Sequence, residues 1–335
     1  MSKTVENHSS GQDGEKTIAE HARPPQSQYL GSTIASKASH IITIFWRSTR
    51  DDMSTVLGPT ILFGLCGVLS GPIFINLEDH VQPLELVIRL PSVVFFVWST
   101  LLVFQLSNQR LPEAVIEDSL NKPWRPIPSG LVTPIQIRRA LLLIVPIVWA
   151  CNYLLDVAYE TALLTVLFWL YSDLGGGDEN CILRNAIISA GYGLWNLGSI
   201  KVASGRSSDD LTSTGATWIF ILTGVALTTM HMQDLRDQQG DRSRGRQTAP
   251  IVLGDRLVRW AIAGPVIFWS LFCTYYWEAR IWAAPGLVVV TPGLVVAIRC
   301  LTLGGPSSDR LTWHIWGVWI ASLYALPCIQ RWYGY

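Results

Sequence analysis

Asp234, Asp237 and Asp241 fall within two helical turns and run directly into Arg242, Arg244 and Arg246, in the stretch MHMQDLRDQQGDRSRGRQTAPIVLGD. Apolar segments flank it on both sides, and carboxylates at the end of such a segment call for a positive partner, usually a metal ion. A second stretch, FQLSNQRLPEAVIEDSLNKPWRPIPSGLVT, spaces Gln109, Glu113, Glu117 and Asn121 four apart. A helix there stacks them on one face, with Asp118 beside them. Taken alone, this second stretch reads equally well as a solvated helix end. The pair is more telling, because each passes from carboxylates at helical spacing into a basic segment containing Gly or Pro, a rough internal duplication. Two facing carboxylate groups can hold Mg2+, whose other positions are filled by water and phosphate oxygens. Lys122, Arg125, Arg242 and Arg246 then grip the same phosphates. The chemistry expected is that of a diphosphate carrying an apolar tail.

The elements that must position these groups are membrane helices. The chain has 335 residues, 49% hydrophobic and only 15% charged, with 15 Trp, and a mean hydropathy of +0.30. That composition predicts an all-α polytopic bundle and excludes an ordinary soluble domain. A span needs about 20 mostly apolar residues, and about nine candidates occur: Thr55–Leu77, Leu86–Leu106, Ile137–Leu155, a short Thr161–Leu174, Leu183–Ala203, Ala216–Met232, Leu257–Trp277, Ile281–Leu303 and Trp313–Ile329. Residues 1–36 are polar and lack an apolar signal-type block, which predicts a disordered cytosolic tail ahead of a transmembrane domain over 37–335. Ser39–Met53 alternates apolar and basic faces, as an interfacial helix would. The six cysteines have neither zinc-site nor CxxC spacing and are expected to be buried thiols.

Basic residues set the orientation. They gather after the second span (Arg110, Lys122, Arg125, Arg138, Arg139) and after the sixth (Arg236, Arg242, Arg244, Arg246, Arg256, Arg259), whereas the opposite connections are acidic or nearly neutral. Both motif-bearing loops are therefore expected to face the cytosol. The expected location is the endoplasmic reticulum membrane, with no nucleic-acid partner.

The stretch DLRDQQGDRSRGRQTAPIVLG resembles the second aspartate motif of the UbiA superfamily of intramembrane prenyltransferases, and RPIPSG resembles the close of that superfamily's first motif. The resemblance implies a helical bundle, Mg2+ as cofactor and a prenyl diphosphate substrate. Site residues carried over on matching positions are Asn108, Glu113, Glu117, Asp118, Asn121, Lys122 and Arg125 in the first motif, and Asp234, Asp237, Asp241, Arg242 and Arg246 in the second. The first motif departs from the usual aspartates, with Glu113, Glu117 and Asp118 following Asn108, so which acid ligates the metal stays open. After the fourth span the superfamily often places a basic residue close behind a Tyr; here the longer SDLGGGDENCIL separates Tyr171 from Arg184, the substrate-binding residue that the resemblance implies at this place. The wording EDSLNKPWRPIPSG, TRDDMSTVLGPTILFG and GGGDENCILRN is similar to a fungal secondary-metabolism group that includes UbiA-type terpene cyclases. That implies ionisation of a farnesyl or geranylgeranyl diphosphate followed by cyclisation, the alternative being transfer of the prenyl group to an acceptor. Transport is a more distant reading, disfavoured because mid-span acids are nearly absent.

Candidate cation-facing aromatics are Trp98, Phe104, Trp149, Trp169, Tyr192, Trp195 and Trp218, although Trp and Tyr also gather at membrane interfaces whatever the function. Asn152, Asn185 and Asn196 are expected to join helices, and His231 to hydrogen-bond at a helix end. Asp51 and Asp52 are expected to solvate or cap the start of the first span. Gly175–Gly177 lacks the Lys-Ser or Lys-Thr of a phosphate loop and reads as a turn.

Overall fold

The computed structural model describes residues 34–76, 82–205 and 210–333. Its elements are helical, and the described residues contain no strand beyond one isolated bridge between Ile75 and Leu211. The helices are α1 (Ile34–Thr49), α2 (Gly58–Leu69), α3 (Pro83–Gln109), α4 (Pro112–Asn121), α5 (Pro134–Leu154), α6 (Ala158–Ser172), α7 (Gly176–Glu179), α8 (Cys181–Ser204), α9 (Ser213–Thr229), α10 (Asp234–Arg244), α11 (Ala249–Leu253), α12 (Asp255–Tyr276), α13 (Ala284–Thr302) and α14 (Pro306–Trp332). The chain divides into two compact units, Met1–Thr43 and Ile44–Tyr335. The expected tail falls largely on residues outside the described set.

Local sequence explains the helix boundaries. Proline stands in the first turn of α2, α3, α4, α5, α11, α13 and α14, where its missing N–H costs nothing. Thr133 and Gln136 form a capping box at the start of α5, and the side chains of Asn180 and Thr212 cap α8 and α9. Pro91, Pro146, Pro265 and Pro292 lie inside helices, as lipid-embedded bundles tolerate.

Each of the nine expected spans overlaps a helix among the described residues, the first only as far as Leu69, its expected end at Leu77 lying outside them. Six runs among the described residues are long and apolar enough to cross a bilayer: Ser36–Leu69, Leu84–Gln109, Pro134–Leu154, Ser213–Arg244, Asp255–Tyr276 and Ala284–Thr302. The other three differ for physical reasons. Helix α6 has only 15 residues. Helices α8 and α14 are long but bury polar groups such as Arg184, Asn196 and Ser199, or Asp309 and Thr312. They lie where protein covers them more than lipid does, α8 packing against α2, α3, α6 and α9, and α14 against α2 and α13. Helix α5 is the opposite case. Leu142, Leu143 and Ile147 are 67, 68 and 60% exposed, the apolar outer face of a membrane protein. All six cysteines are free thiols, four of them buried.

The expected interfacial helix leads into the first span; the run Ser36–Leu69 carries an irregular middle, a 3-10 turn at Arg50–Asp52 and a π-helical turn at Met53–Leu57. Such irregular turns rotate the residues around them out of ordinary α phase, and here they bring Asp51 and Asp52 to the cavity described next.

Candidate active site

Helix α10 continues α9 through the 3-10 turn Met230–Gln233. Its Asp234, Asp237 and Asp241 share one face by helical spacing and are 1, 9 and 1% exposed. Gly245, at φ 77°, ends the helix in the left-handed region that favours glycine. Arg246 then turns back over the site, its N–H donating to the Asp241 carbonyl at 3.0 Å.

Helix α4 packs against α10, so the two motifs meet, but the first is built differently from its sequence expectation. Helix α3 ends at Gln109, and α4 restarts at Pro112. The break resets the helical phase. Gln109 turns away to donate to the Ser48 carbonyl and to Gln105 Oε1. Glu113 is exposed, while Glu117 and Asp118 are buried. The stack of four residues on one face is therefore not formed. Asn121 fastens the two motifs: its Nδ2 donates to the Asp237 carbonyl at 2.9 Å and its Oδ1 accepts from the Gly240 N–H at 3.1 Å. A Cβ on Gly240 would stand 2.2 Å from Asn121 Nδ2, so this contact requires glycine. Lys122 Nζ reaches Asp237 Oδ2 at 3.1 Å.

Arginines close the site. Glu117 accepts from Arg244 Nη1 at 3.0 Å and from Arg246 Nη1 at 2.9 Å. Asp178 accepts from the same two guanidinium groups, at 2.8 and 2.7 Å. It comes from the GGGDEN connection, which is more than a plain turn: Gly177 lies so close to the Tyr171 ring that a Cβ would meet it at 2.7 Å. Burial alone would raise the carboxyls of Glu117 and Asp178, but Arg246 and Arg244, joined at Glu117 by Lys122, outweigh it and hold both below the ordinary range. Arg125 pairs with both oxygens of Asp118 at 2.8 and 3.0 Å. Arg184 bonds Asp234 Oδ1 at 2.7 Å and the Tyr171 hydroxyl.

Of these groups Glu117, Lys122, Arg125, Arg184, Asp237, Asp241 and Arg246 line the charged side of a cavity of about 970 Å3, open side included. Its charged lining comprises the acids Asp51, Asp52, Glu117, Asp237 and Asp241 and the bases Lys122, Arg125, Arg184, Arg236 and Arg246. Five of each sign suit an ion-paired ligand better than a bare anion or cation. Its inner wall is apolar and aromatic, with Phe104, Phe168, Tyr171, Tyr192, Trp195 and Trp313. Tyr192 OH donates to the Thr55 carbonyl and Trp195 Nε1 to Thr100 Oγ1, which fixes both rings. At the rim, Trp124 Nε1 donates to Asp51 Oδ2, and the guanidinium carbons of Arg50 and Arg310 stand 4.8 and 5.1 Å from its ring.

Two sets of buried atoms lack hydrogen-bond partners. Asp241 Oδ1 and Oδ2 and Asp234 Oδ2 are acceptors without donors; Arg246 Nη1 stands 3.5 Å from Asp241 Oδ1, within ion-pair range but without hydrogen-bond geometry. Arg246 Nη2 and the Nε atoms of Arg184, Arg125 and Arg236 are donors without acceptors. Native interiors rarely leave such groups unsatisfied. The first set suits a cation and the second an anion. No three Asp, Glu, His or Cys side chains among the described residues are grouped as a ready metal site. This donor set nevertheless fits Mg2+, which is commonly held by one or two carboxylates and completed by substrate phosphate and water.

The UbiA prenyltransferase family pattern matches residues 65–323. The chain belongs to the UbiA prenyltransferase family. Within it, the chain is 28% identical over 243 residues to the fumagillin β-trans-bergamotene synthase of Aspergillus fumigatus, covering 70% of this chain and 80% of that protein. It is 31% identical over 283 residues to a diterpene cyclase of Hericium erinaceus, covering 81% and 83%. A solved UbiA homologue from Archaeoglobus fulgidus, bound to GPP and Mg2+, shares the fold at a TM-score of 0.52 and 10% identity, covering 82% of this chain and 99% of that one.

Placed on this UbiA fold, the expected site residues separate. Asn108, Glu117, Lys122, Arg125, Arg184, Asp237, Asp241 and Arg246 line the cavity; Asn121, Asp118 and Asp234 support it from behind through the bonds above. Glu113 and Arg242 do not join it: both are exposed, and Arg242 Nη2 bonds Gln238 at 3.2 Å. Arg244, two residues further along the helix and so on the opposite face, takes the inward position. Among the aromatics, Phe104, Tyr192 and Trp195 face the cavity. Trp149 and Trp169 are 36 and 53% exposed on the outer surface, Trp98 bonds Thr49, and Trp218 packs on Tyr276 and Trp277. Asn185 bonds His231, and Asn196 bonds Tyr324 OH at 3.1 Å, each joining two helices. Sequence reasoning missed Gln105, Asp178, Arg236 and Arg244 as site residues and expected Asp51 and Asp52 to solvate or cap the start of the first span. Of these, only Asp178 carried a signal, as an acid in an insertion next to a basic motif.

Proposed function

We propose that this chain is a membrane-embedded, Mg2+-dependent enzyme that ionises a farnesyl or geranylgeranyl diphosphate and cyclises the resulting cation to a terpene. Its clamp faces the cytosol, in the endoplasmic reticulum membrane. One observation carries the reading: cation-seeking carboxylate oxygens and anion-seeking guanidinium N–H groups, both without partners, share the mouth of one aromatic cavity. A metal–diphosphate headgroup satisfies both sets at once, and its apolar tail fills the space behind. Asp241 offers its free oxygens directly to the cavity, Asp237 lines it one turn away on the same face, and Asp234 stands behind them with Oδ2 still free. Bound Mg2+ supplies positive charge to the diphosphate oxygens and so makes diphosphate a better leaving group.

The remaining work falls to side chains. Arg184, Arg236 and Arg246, with Lys122, hold the phosphates in line with the cavity axis and stabilise the charge that builds as the carbon–oxygen bond breaks. The aromatic wall keeps water from the cation and presents ring faces to it, each worth about 0.5 to 2 kcal/mol. The terpene-forming relatives support cyclisation by the chain's own double bonds. The prenyltransferase name of the family supports a second reading, in which an acceptor attacks the cation.

Membranes carrying the protein are incubated with geranyl, farnesyl and geranylgeranyl diphosphates and Mg2+, without acceptor, and extracts are analysed by gas chromatography. A cyclic product from one of them is expected. Conversion only after a phenolic or other acceptor is added assigns the transferase reading instead. Uptake or current that survives Asp237→Ala and Asp241→Ala would establish transport.

A further inference from the structure

Cyclisation leaves a cation that must lose a proton before a hydrocarbon can leave, and the clamp residues are poorly placed to take it. Glu117 and Asp237 are ion-paired, and Asp241 faces Arg246. Tyr192 OH and Trp195 Nε1, on the aromatic wall of the cavity, are donors already committed to Thr55 and Thr100. Asp51 and Asp52 are the cavity-lining acids without an ion pair among the described residues. Asp51 is held at the rim by Trp124. Asp52 stands next to the apolar wall: Val56 follows it by four residues, and its hydrogen-bond partner Gln105 adjoins Phe104 and lies four residues from Leu101, all of them lining the cavity.

The contact with Gln105 fixes the role of this carboxylate. Gln105 Oε1 accepts from Gln109 Nε2 at 3.0 Å and from Arg125 Nη2 at 3.4 Å. Its amide nitrogen must then point the other way, and it donates to Asp52 Oδ2 at 2.6 Å. Asp52 is thus held as an acceptor, positioned by a neutral amide and not neutralised by a direct cation. The irregular Arg50–Leu57 segment brings it there.

The geometry points to Asp52 as the base that ends the cation cascade. This rests on the cyclisation reading above. A C–H bond beside the cationic carbon breaks, its electron pair becomes the new carbon–carbon double bond, and the proton passes to an Asp52 carboxylate oxygen. The carboxylic acid returns that proton to water after the product leaves. Overall, prenyl diphosphate gives hydrocarbon, diphosphate and one proton.

The test measures diphosphate release and alkene composition for wild type, Asp52→Asn and Asp52→Glu in membranes, with the diphosphate that the wild type cyclises. Any fall in diphosphate release is expected to be smaller than the fall in the alkene ratio in both variants, because ionisation precedes proton loss. The ratio of the wild-type alkene to its double-bond isomers and water-trapped alcohols is expected to fall at least about tenfold in Asp52→Asn, below the usual 10²–10⁴ effect of losing a general base because other groups can take the proton. It is expected to shift less in Asp52→Glu, which keeps a carboxylate one methylene away. An unchanged ratio with intact release overturns the assignment and leaves proton removal to another group, such as the released diphosphate. Release lost in both variants also overturns it, since Asp52 then belongs to ionisation or folding. Should Asp52→Asn alone be inactive, an altered isomer ratio in Asp52→Glu still supports the role, and an unaltered one sinks it. A wild type that forms no cyclic hydrocarbon without acceptor fails at the earlier step, a result visible before any variant is made.

Discussion

Helices α4 and α10 are two answers to one pattern. Both are short helices beside the end of a long span, both carry carboxylates at helical spacing, and both lead into a basic segment. Their acids do different jobs. In α10 the helix follows its span through a single 3-10 turn, so three aspartates stay in phase, and two of them keep carboxylate oxygens without partners. In α4 the break at Arg110–Leu111 shifts the phase. Glu113 goes to solvent, and Glu117 and Asp118 are spent on Arg244, Arg246 and Arg125. One helix offers ligand atoms, and the other holds in place the arginines that complete the site. Similar spacing therefore does not imply similar duty; what decides it is whether helical phase survives the junction with the span.

The sharpest way to break this comparison is on the α10 side. Asp241→Asn removes charge from the two free oxygens and is expected to slow Mg2+-dependent diphosphate release at least about 100-fold, the scale of losing one electrostatic stabiliser. A release assay in membranes checks it, and a loss under about tenfold would mean that α10 does not hold the metal. On the α4 side the largest expected effect is on stability. Glu117→Ala strands Arg244 with Asp178 alone and Arg246 with Asp178 and the more distant Asp241, at about 3 kcal/mol, the lower end for breaking a buried ion pair. Thermal unfolding in detergent reads this directly.

The join between the helices comes next. Gly240→Ala drives a methyl into Asn121 and is expected to cost about 1–3 kcal/mol. Paired with Asn121→Ser, which clears the space, the two changes should cost less than the sum of each alone in a double-mutant cycle. Acid should act on the scaffold as well. Glu117 and Asp178 titrate below their ordinary values when folded. Their stabilisation is therefore fully present above the unfolded values of about 4.3 and 3.9 and is lost as pH falls through the lower folded values. Wild type should lose thermal stability below about pH 4 more steeply than Glu117→Gln does. The smallest effects belong to the residues that the phase shift expels. Glu113→Ala and Arg242→Ala should change stability by no more than about 0.5 kcal/mol and leave diphosphate release unaltered.

Much of the architecture was legible because it follows from apolar run length, proline position and basic loops, all local properties. The aspartates of α10 were legible for the same reason, as helical spacing survives there. What escaped was set by junctions and by packing between distant segments. The four-residue ladder from Gln109 to Asn121 fails at one helix break. Arg242 and Arg244 differ only by the rotation of two residues on a helix whose start cannot be fixed from composition. Asp52 looked like a solvated helix start because nothing in the sequence marks the irregular turns around it. Asp178 sits in a glycine-rich connection that becomes meaningful only when α10 lies opposite. Helices α8 and α14, by contrast, were both legible as spans, and they need less apolarity than the others because neighbouring helices cover them.

Trp124 limits how this site can be rearranged by recombination. Its ring is flanked by Arg50 and Arg310, and its indole N–H is taken by Asp51, so a loop adjoining the first motif is anchored to segments near both ends of the bundle. The motif is consequently not a portable cassette. A chimera that imports residues 112–130 from a relative must import compatible residues at positions 50, 51 and 310 as well, and one that exchanges only the terminal helix leaves the loop with half its anchorage.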